Sequence, residues 1–295
     1  MKNGFIFGLI TLASICSISP VLSKEQTAVI APQSFTIPRT EIIKINDGER
    51  PYELYIKLPR GYHKQQNKFR KYPVIYLTDA MYTFQVVSGA TRYPMNINSI
   101  QQAIIVGISW EKGVKGDLSR VRDYTISEDE SWKKVTGGAE RHIRFIADKV
   151  IPFVEHNYRG DAVQRIYVGN SLGGLFGSYI LLHYPELFSG YVLGSPSFWW
   201  DKGLILKSLM SVSKRSALFD SRIFIGIGEL ETNIGEGESN FDMTGDARQF
   251  IKLLTPLMTH QSQLKLAVFD EANHQTAFPS TAIQGLYWLL KSKPK

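Results

Sequence analysis

The densest chemical signal in the sequence is Val168-Gly169-Asn170-Ser171-Leu172-Gly173-Gly174, a serine with a glycine two residues away on either side. A nucleophile displayed on so tight a turn needs neighbours without side chains, because the strand before it and the helix after it crowd the same point. A serine hydroxyl is a weak nucleophile near neutral pH, so it also needs a base within hydrogen-bond reach and an acid to orient that base. On a strand-turn-helix scaffold the three follow the order serine, acid, histidine. Of the six histidines, His183, His260 and His274 follow Ser171. His183 closes the helix that the serine opens and reads as a C-terminal cap, and His260 ends another helix. His274 remains, in a short loop after the last apolar run, as the expected base. His63, His142 and His156 precede the serine and read as solvated or helix-face residues.

The acid should leave the strand before that loop, which runs into Gly228-Glu229-Leu230-Glu231. Either glutamate can serve, and Asp270 is a third candidate. Side-chain alternation cannot choose between them because the chain turns at Gly228; Glu231 is favoured, with Glu229 as its main rival. Acyl transfer also needs two backbone N–H donors aimed at the oxygen on which charge develops. The Leu172 amide is one, at the start of the helix. The other is expected from Thr78-Asp79-Ala80-Met81, after the third strand, with the Met81 amide as the choice. Asp79 precedes the serine and reads as a brace of that loop.

The elements around these residues must position them. Residues 35–46 and 52–59 alternate apolar and polar side chains across Asp47-Gly48, which predicts an antiparallel opening pair. Short apolar runs at 74–77, 103–109, 165–169, 190–193, 222–227 and 264–269 predict strands buried on both faces, and the stretches 83–90, 139–158, 172–183, 202–213, 244–259 and 280–291 carry helical spacing between them. Alternating strands and helices predict an α/β architecture: a mostly parallel central sheet of about eight strands with an antiparallel N-terminal edge and helices on both faces. Sites in such sheets form at the carboxyl ends of the strands.

Composition narrows the class. The chain has 295 residues, 43% of them hydrophobic, enough for one large domain without a second. The formal charge of +7 comes from lysines and arginines scattered singly or in pairs, which argues against a nucleic-acid interface and is compatible with an anionic small substrate. Met1-Lys2-Asn3, the apolar stretch 4–20 and Val21-Leu22-Ser23 read as a secretory signal peptide over residues 1–23, leaving one domain at 24–295 and no stable membrane anchor. The only cysteine is Cys16. The bulky Ile15 before it argues against lipidation, and a chain without cysteine after residue 23 suits an oxidising compartment, periplasmic or extracellular.

With these residues placed, the chain resembles the esterase family of α/β-hydrolases that includes siderophore esterases, S-formylglutathione hydrolase, feruloyl esterases and mycolyltransferases. The carriers are Tyr76-Leu77-Thr78-Asp79-Ala80, Arg120-Val121-Arg122-Asp123-Tyr124-Thr125, Ile151-Pro152-Phe153, the serine turn with Leu175-Phe176, Ser195-Pro196-Ser197-Phe198-Trp199-Trp200, Gly228-Glu229-Leu230-Glu231 and Asn273-His274. The resemblance implies that the second glutamate, Glu231, is the acid. Relatives of this kind usually carry Asp-Gly where this chain has Asp79-Ala80. Trp199 and Trp200 are candidates to wall an aryl or acyl pocket, or else pack their loop; Arg120 and Arg122 are candidates to meet an anionic or catecholate substrate, or else pair with Asp123 or Asp117.

The expected activity is therefore serine carboxylic ester hydrolysis through an acyl-enzyme, without metal or cofactor, on a small-molecule ester of which a siderophore trilactone is the first choice. Feruloyl, acetyl or simple acyl esters, thioesters and acyl transfer use the same machinery. A catalytically silent, ligand-binding relative is the contrasting class.

Overall fold

The apolar runs assemble into one eight-stranded sheet whose central strands are buried on both faces: every residue of β3 (Tyr72–Leu77), β4 (Ile104–Ile108) and β6 (Gly190–Gly194) is buried, whereas the run 264–269, expected to be so too, lies at the sheet edge with every residue at least partly exposed. The computed structural model describes Met1 and residues 34–213, 219–232 and 241–292, and its strands and helices all belong to the compact unit Ile37–Lys295. Residues 2–23 of the expected leader lie outside the described residues.

β1 (Thr40–Asp47) and β2 (Arg50–Lys57) form the antiparallel pair predicted around Asp47-Gly48, and β2 pairs antiparallel with β4. From β4 onward the sheet is parallel through β3, β5 (Gly160–Asn170), β6, β7 (Arg222–Gly228) and β8 (Leu264–Phe269), in the order β1-β2-β4-β3-β5-β6-β7-β8. The expected α/β sheet with an antiparallel N-terminal edge is what forms.

Alternation along each strand divides the core in two. Ile75 and Leu77 of β3, Val168 of β5 and Phe224 of β7 join the layer covered by α1 (Ala80–Asn96) and α8 (Ala277–Leu290). In α8, Phe278, Ala282, Leu286 and Leu290 recur every fourth residue and present one apolar stripe to the sheet. Replacing Leu286 by Ala would cost about 2–5 kcal/mol through lost transfer energy and the cavity left behind. On the other face Val74, Tyr76, Tyr167, Tyr191 and Leu193 pack beneath α5 (Leu172–His183), α6 (Trp200–Ser213) and α7 (Met243–Leu254).

Three local features depart from the sequence expectation. The segment 139–158 is not one regular helix but α3 (Ala139–Phe145) and α4 (Ile151–Asn157) joined by a π-helical turn at Ile146–Val150. His142, expected as a solvated or helix-face residue, lies on α3 but is buried among the rings of Tyr52, Tyr124, Phe145 and Phe176, where burial pushes its pKa down. The segment 110–132 contains a helix that periodicity did not reveal, α2 (Gly116–Tyr124). Its charged residues hide the pattern, since Asp123 is buried together with Val121 and Tyr124.

Candidate functional site

β5 ends at Asn170, and the chain reverses sharply into α5 at Ser171, whose φ of 59° and ψ of −119° lie where residues with side chains are strained. The turn holds because its backbone is bonded on both sides: the Ser171 amide donates to the Gly194 carbonyl at 2.8 Å, and the Ser171 carbonyl accepts from Leu175 at 3.0 Å and Ser197 at 3.2 Å. Neither glycine of the motif is replaceable. A Cβ on Gly169 would lie 2.4 Å from the Gly173 carbonyl oxygen, and one on Gly173 would lie 2.7 Å from Thr78 Oγ1. The Ser171 hydroxyl sits 3.3 Å from that of Ser197.

The candidate acid and base follow β7 and β8. After β7 the chain makes a tight turn in which the Glu231 amide donates to the Gly228 carbonyl at 3.2 Å, so the two glutamates diverge. Glu229 is exposed and its Oε2 accepts from the Glu271 amide at 3.1 Å. Glu231 is fully buried; its Oε1 accepts from Ser195 Oγ at 2.6 Å and from the Gly228 amide at 2.8 Å, and its Oε2 lies 2.7 Å from His274 Nδ1. Burial opposes ionisation of Glu231, but hydrogen bonds from His274, Ser195 and Gly228 outweigh it and hold the carboxyl below its ordinary pKa. A carboxylate that accepts from Nδ1 fixes the tautomer in which Nε2 is free to act as base. His274 is 36% exposed in its side chain. Asp270 is exposed, His260 caps a short 3₁₀ turn and His183 closes α5 at the surface, so none of the rivals reaches this cluster.

The loop after β3 abuts the serine turn. Asp79 adopts a left-handed conformation (φ 54°) at the start of α1, which puts Met81 in the first turn of that helix. The Asp79 Oδ1 accepts from Trp110 Nε1 at 2.7 Å and from Arg120 Nε at 2.9 Å, and the Asp79 amide donates to the Tyr124 hydroxyl at 3.1 Å. The Met81 side chain is exposed, its sulfur taking the Tyr55 hydroxyl at 3.1 Å.

Ser171 and His274 open onto one cleft of about 770 Å³, lined also by Asp79, Tyr82, Trp110 and Arg120. Of the four candidate substrate contacts, Arg120 alone lines it. Arg122 is held by Asp123 and Glu111, both at 2.7 Å, and belongs to a structural ion-pair network with Tyr52. Trp200 is fully buried and donates its indole N–H to Ser127 Oγ at 2.9 Å; Trp199 stacks on Phe241 with ring centroids 4.5 Å apart. Both tryptophans pack their loop. Among the described residues no group of three or more His, Cys, Asp or Glu side chains is arranged to hold a metal ion, and no helix is long and apolar enough to cross a membrane.

Sequence reasoning missed Ser195, whose φ of 37° aims its hydroxyl at Glu231, and Ser197, which meets Ser171. The signal available was a pair of hydroxyl residues at the carboxyl end of the strand beside β5, where sites form. It also missed Tyr82, exposed in the cleft and edge-on to Trp110 at 5.3 Å.

A mixed sheet of this order, with a serine on a strained turn between a central strand and its helix, defines an α/β-hydrolase. The chain belongs to the family described as "Putative esterase", which matches residues 45–282, and it is an ester hydrolase. It is 30% identical over 275 residues to the ferri-bacillibactin esterase of Bacillus subtilis, covering 87% of this chain and 91% of that one. Among solved structures it is similar to the BES protein of Bacillus cereus, with a TM-score of 0.74, 26% identity and coverage of 89% of this chain and 99% of the other. A siderophore hydrolase of Aspergillus nidulans has the same fold, with a TM-score of 0.76 at 22% identity over 89% of this chain and 98% of that one.

Proposed function

We propose that this chain is a serine esterase that opens siderophore-type ester bonds through an acyl-enzyme. The observation that carries the reading is the chain of hydrogen bonds from Ser195 through Glu231 to His274, ending in the cleft that also contains Ser171. Ser171 Oγ attacks the ester carbonyl carbon while His274 Nε2 takes its proton; rotation about the Ser171 side chain exchanges its present contact with Ser197 for one with His274. The amides of Leu172 and Met81 receive the negative oxygen. His274 then returns the proton to the departing alkoxide, which leaves as an alcohol, and the acyl group stays on Ser171. Water attacks next, with His274 again as base, and releases the carboxylic acid. Glu231 remains ionised throughout, stabilising the imidazolium that forms twice per turnover.

The substrate class rests on the relative named for a ferric siderophore, on the basic balance of the chain and on the aromatic surface that Tyr82 and Trp110 give the cleft. Residues 1–23 are proposed as a leader cleaved on export, with 24–295 as a single esterase domain that works outside the cytoplasm. N-terminal sequencing of the exported protein should begin at Lys24; a product retaining residues 1–23 refutes the leader.

An activity-based fluorophosphonate probe tests the mechanism: labelling of the wild type that disappears in Ser171→Ala supports it, and labelling that survives refutes it. A panel of p-nitrophenyl, feruloyl and thioester substrates beside ferric and iron-free catecholate trilactones tests the substrate. Preference for the trilactones is expected, and turnover of the others alone would refute that part.

A further inference from the structure

The two amides proposed to hold the oxyanion come from separate segments, so their spacing must be fixed by something that touches both. Arg120 does. Its Nε donates to Asp79 Oδ1 at 2.9 Å and its Nη2 donates to the Asn170 carbonyl oxygen at 3.1 Å. Asp79 lies two residues before Met81, and Asn170 two residues before Leu172. One guanidinium thus grips both donor segments at equivalent places.

Each segment contains a left-handed residue, Asp79 at φ 54° and Ser171 at φ 59°, and such backbones persist only where the surroundings over-determine them. Asp79 is held by Trp110 Nε1 and, through its amide, by the Tyr124 hydroxyl. On the inner side Tyr167 makes a second bridge, its hydroxyl 3.3 Å from Thr78 Oγ1 and donating to the Gly173 carbonyl at 2.6 Å. Arg120 closes the same gap on the cleft side, with its side chain only 22% exposed. A planar guanidinium can serve two acceptors in fixed geometry, which a lysine ammonium cannot reproduce.

We propose that Arg120 is a positioning residue that sets the separation of the two oxyanion donors by clamping the Asp79 loop to the serine turn. The proposal rests on the esterase reading above and gives Arg120 a role other than recognising an anionic substrate.

The test uses p-nitrophenyl acetate, which carries no anionic group for Arg120 to bind. Arg120→Met should lower kcat by about 10- to 100-fold with KM changed by less than about twofold, because a misplaced donor is lost only in the transition state. Arg120→Lys should recover little of this, and added guanidinium ion, but not ammonium, should restore part of the activity of Arg120→Ala. Unchanged kcat on this ester with KM raised only for anionic esters would overturn the proposal in favour of substrate contact, and full recovery by lysine would show that charge suffices without the fork. Thermal unfolding checks that each variant folds. If Arg120→Met does not, Trp110→Phe decides: it removes the other side-chain donor to Asp79 and should lower kcat in the same direction by a smaller factor, whereas no change overturns the clamp. Ser171→Ala is run in parallel. Its full activity would refute the esterase reading itself, while an inactive Ser171→Ala beside a fully active Arg120→Met would refute the clamp alone.

Discussion

Two clefts of similar size open at opposite ends of the parallel strands, and they differ in backbone rather than in volume. The one at the carboxyl ends, about 770 Å³, contains Ser171 and His274; the one at the amino ends of β5, β6, β7 and β8, about 690 Å³, is lined by Gln164, Ser189, Asp220, Arg222 and Gln263. Of the positive-φ residues other than glycine among those described, Asp79, Ser171, Ser195 and Glu271 lie in connections leaving the carboxyl ends of β3, β5, β6 and β8, Asp201 and Lys202 form the non-helical start of α6, and only Arg39 and Asn98, before β1 and β4, lie elsewhere. At the amino end the polar groups complete the fold. Arg222 donates to the Leu289 and Trp288 carbonyls at 3.2 and 3.1 Å, closing the C-terminus of α8, and lies 4.1 Å from the Trp288 ring. Strained turns bonded into a rigid sheet set the cleft of Ser171 and His274 apart from the one at the amino ends.

Substitutions on the two sides should sharpen this contrast. Ser171→Ala is expected to have the largest effect, lowering kcat for any ester by about 10³-fold or more while unfolding as the wild type does; a smaller loss would place the nucleophile elsewhere. Glu231→Gln should lower kcat by about 10²- to 10⁴-fold, since an uncharged partner neither fixes the His274 tautomer nor stabilises its cation, whereas Glu229→Gln should change it by less than about twofold. The reverse ranking would move the acid to the exposed side of the turn.

The same carboxylate predicts a pH dependence. Its pKa in the folded protein lies below the ordinary 4.5, so its contribution to stability is complete above that pH and is lost as pH falls through the lower folded value. Urea midpoints from pH 7 to pH 3 should therefore show the difference between wild type and Glu231→Gln shrinking in acid. A constant difference would break the link. Ser195→Ala, which removes one donor to Glu231, should lower kcat by about tenfold, the size expected for one hydrogen bond to a charged group. Smallest is Arg222→Met at the other end: about 1 kcal/mol of stability lost with the caps on α8, and kcat per folded molecule unchanged.

The legibility of the sequence follows the same divide between regular and irregular backbone. β4 and β6 were readable because burial on both faces leaves apolar runs, and Ser171 because the crowding around it tolerates only glycine at 169 and 173. Glu229 and Glu231 could not be separated by pattern, since the turn at Gly228 ends the two-residue alternation that would have told inside from outside. α2 was invisible for a related reason: its inner face carries Asp123, which pairs with Arg122 and Tyr52, so no apolar stripe records its burial. Trp199 and Trp200 pointed to a pocket by residue type, but their directions are set by partners distant in sequence, Phe241 and Ser127.

The exposure of His274 bears on the fate of the acyl group in the proposed mechanism. With 36% of its side chain open to solvent, the base can draw a proton from any small hydroxyl compound that diffuses into the cleft. Water prevails by concentration alone. In a methanol–water mixture the products should accordingly divide between free acid and methyl ester in a ratio that tracks the solvent composition, a partition that the solvent dictates and the protein leaves open.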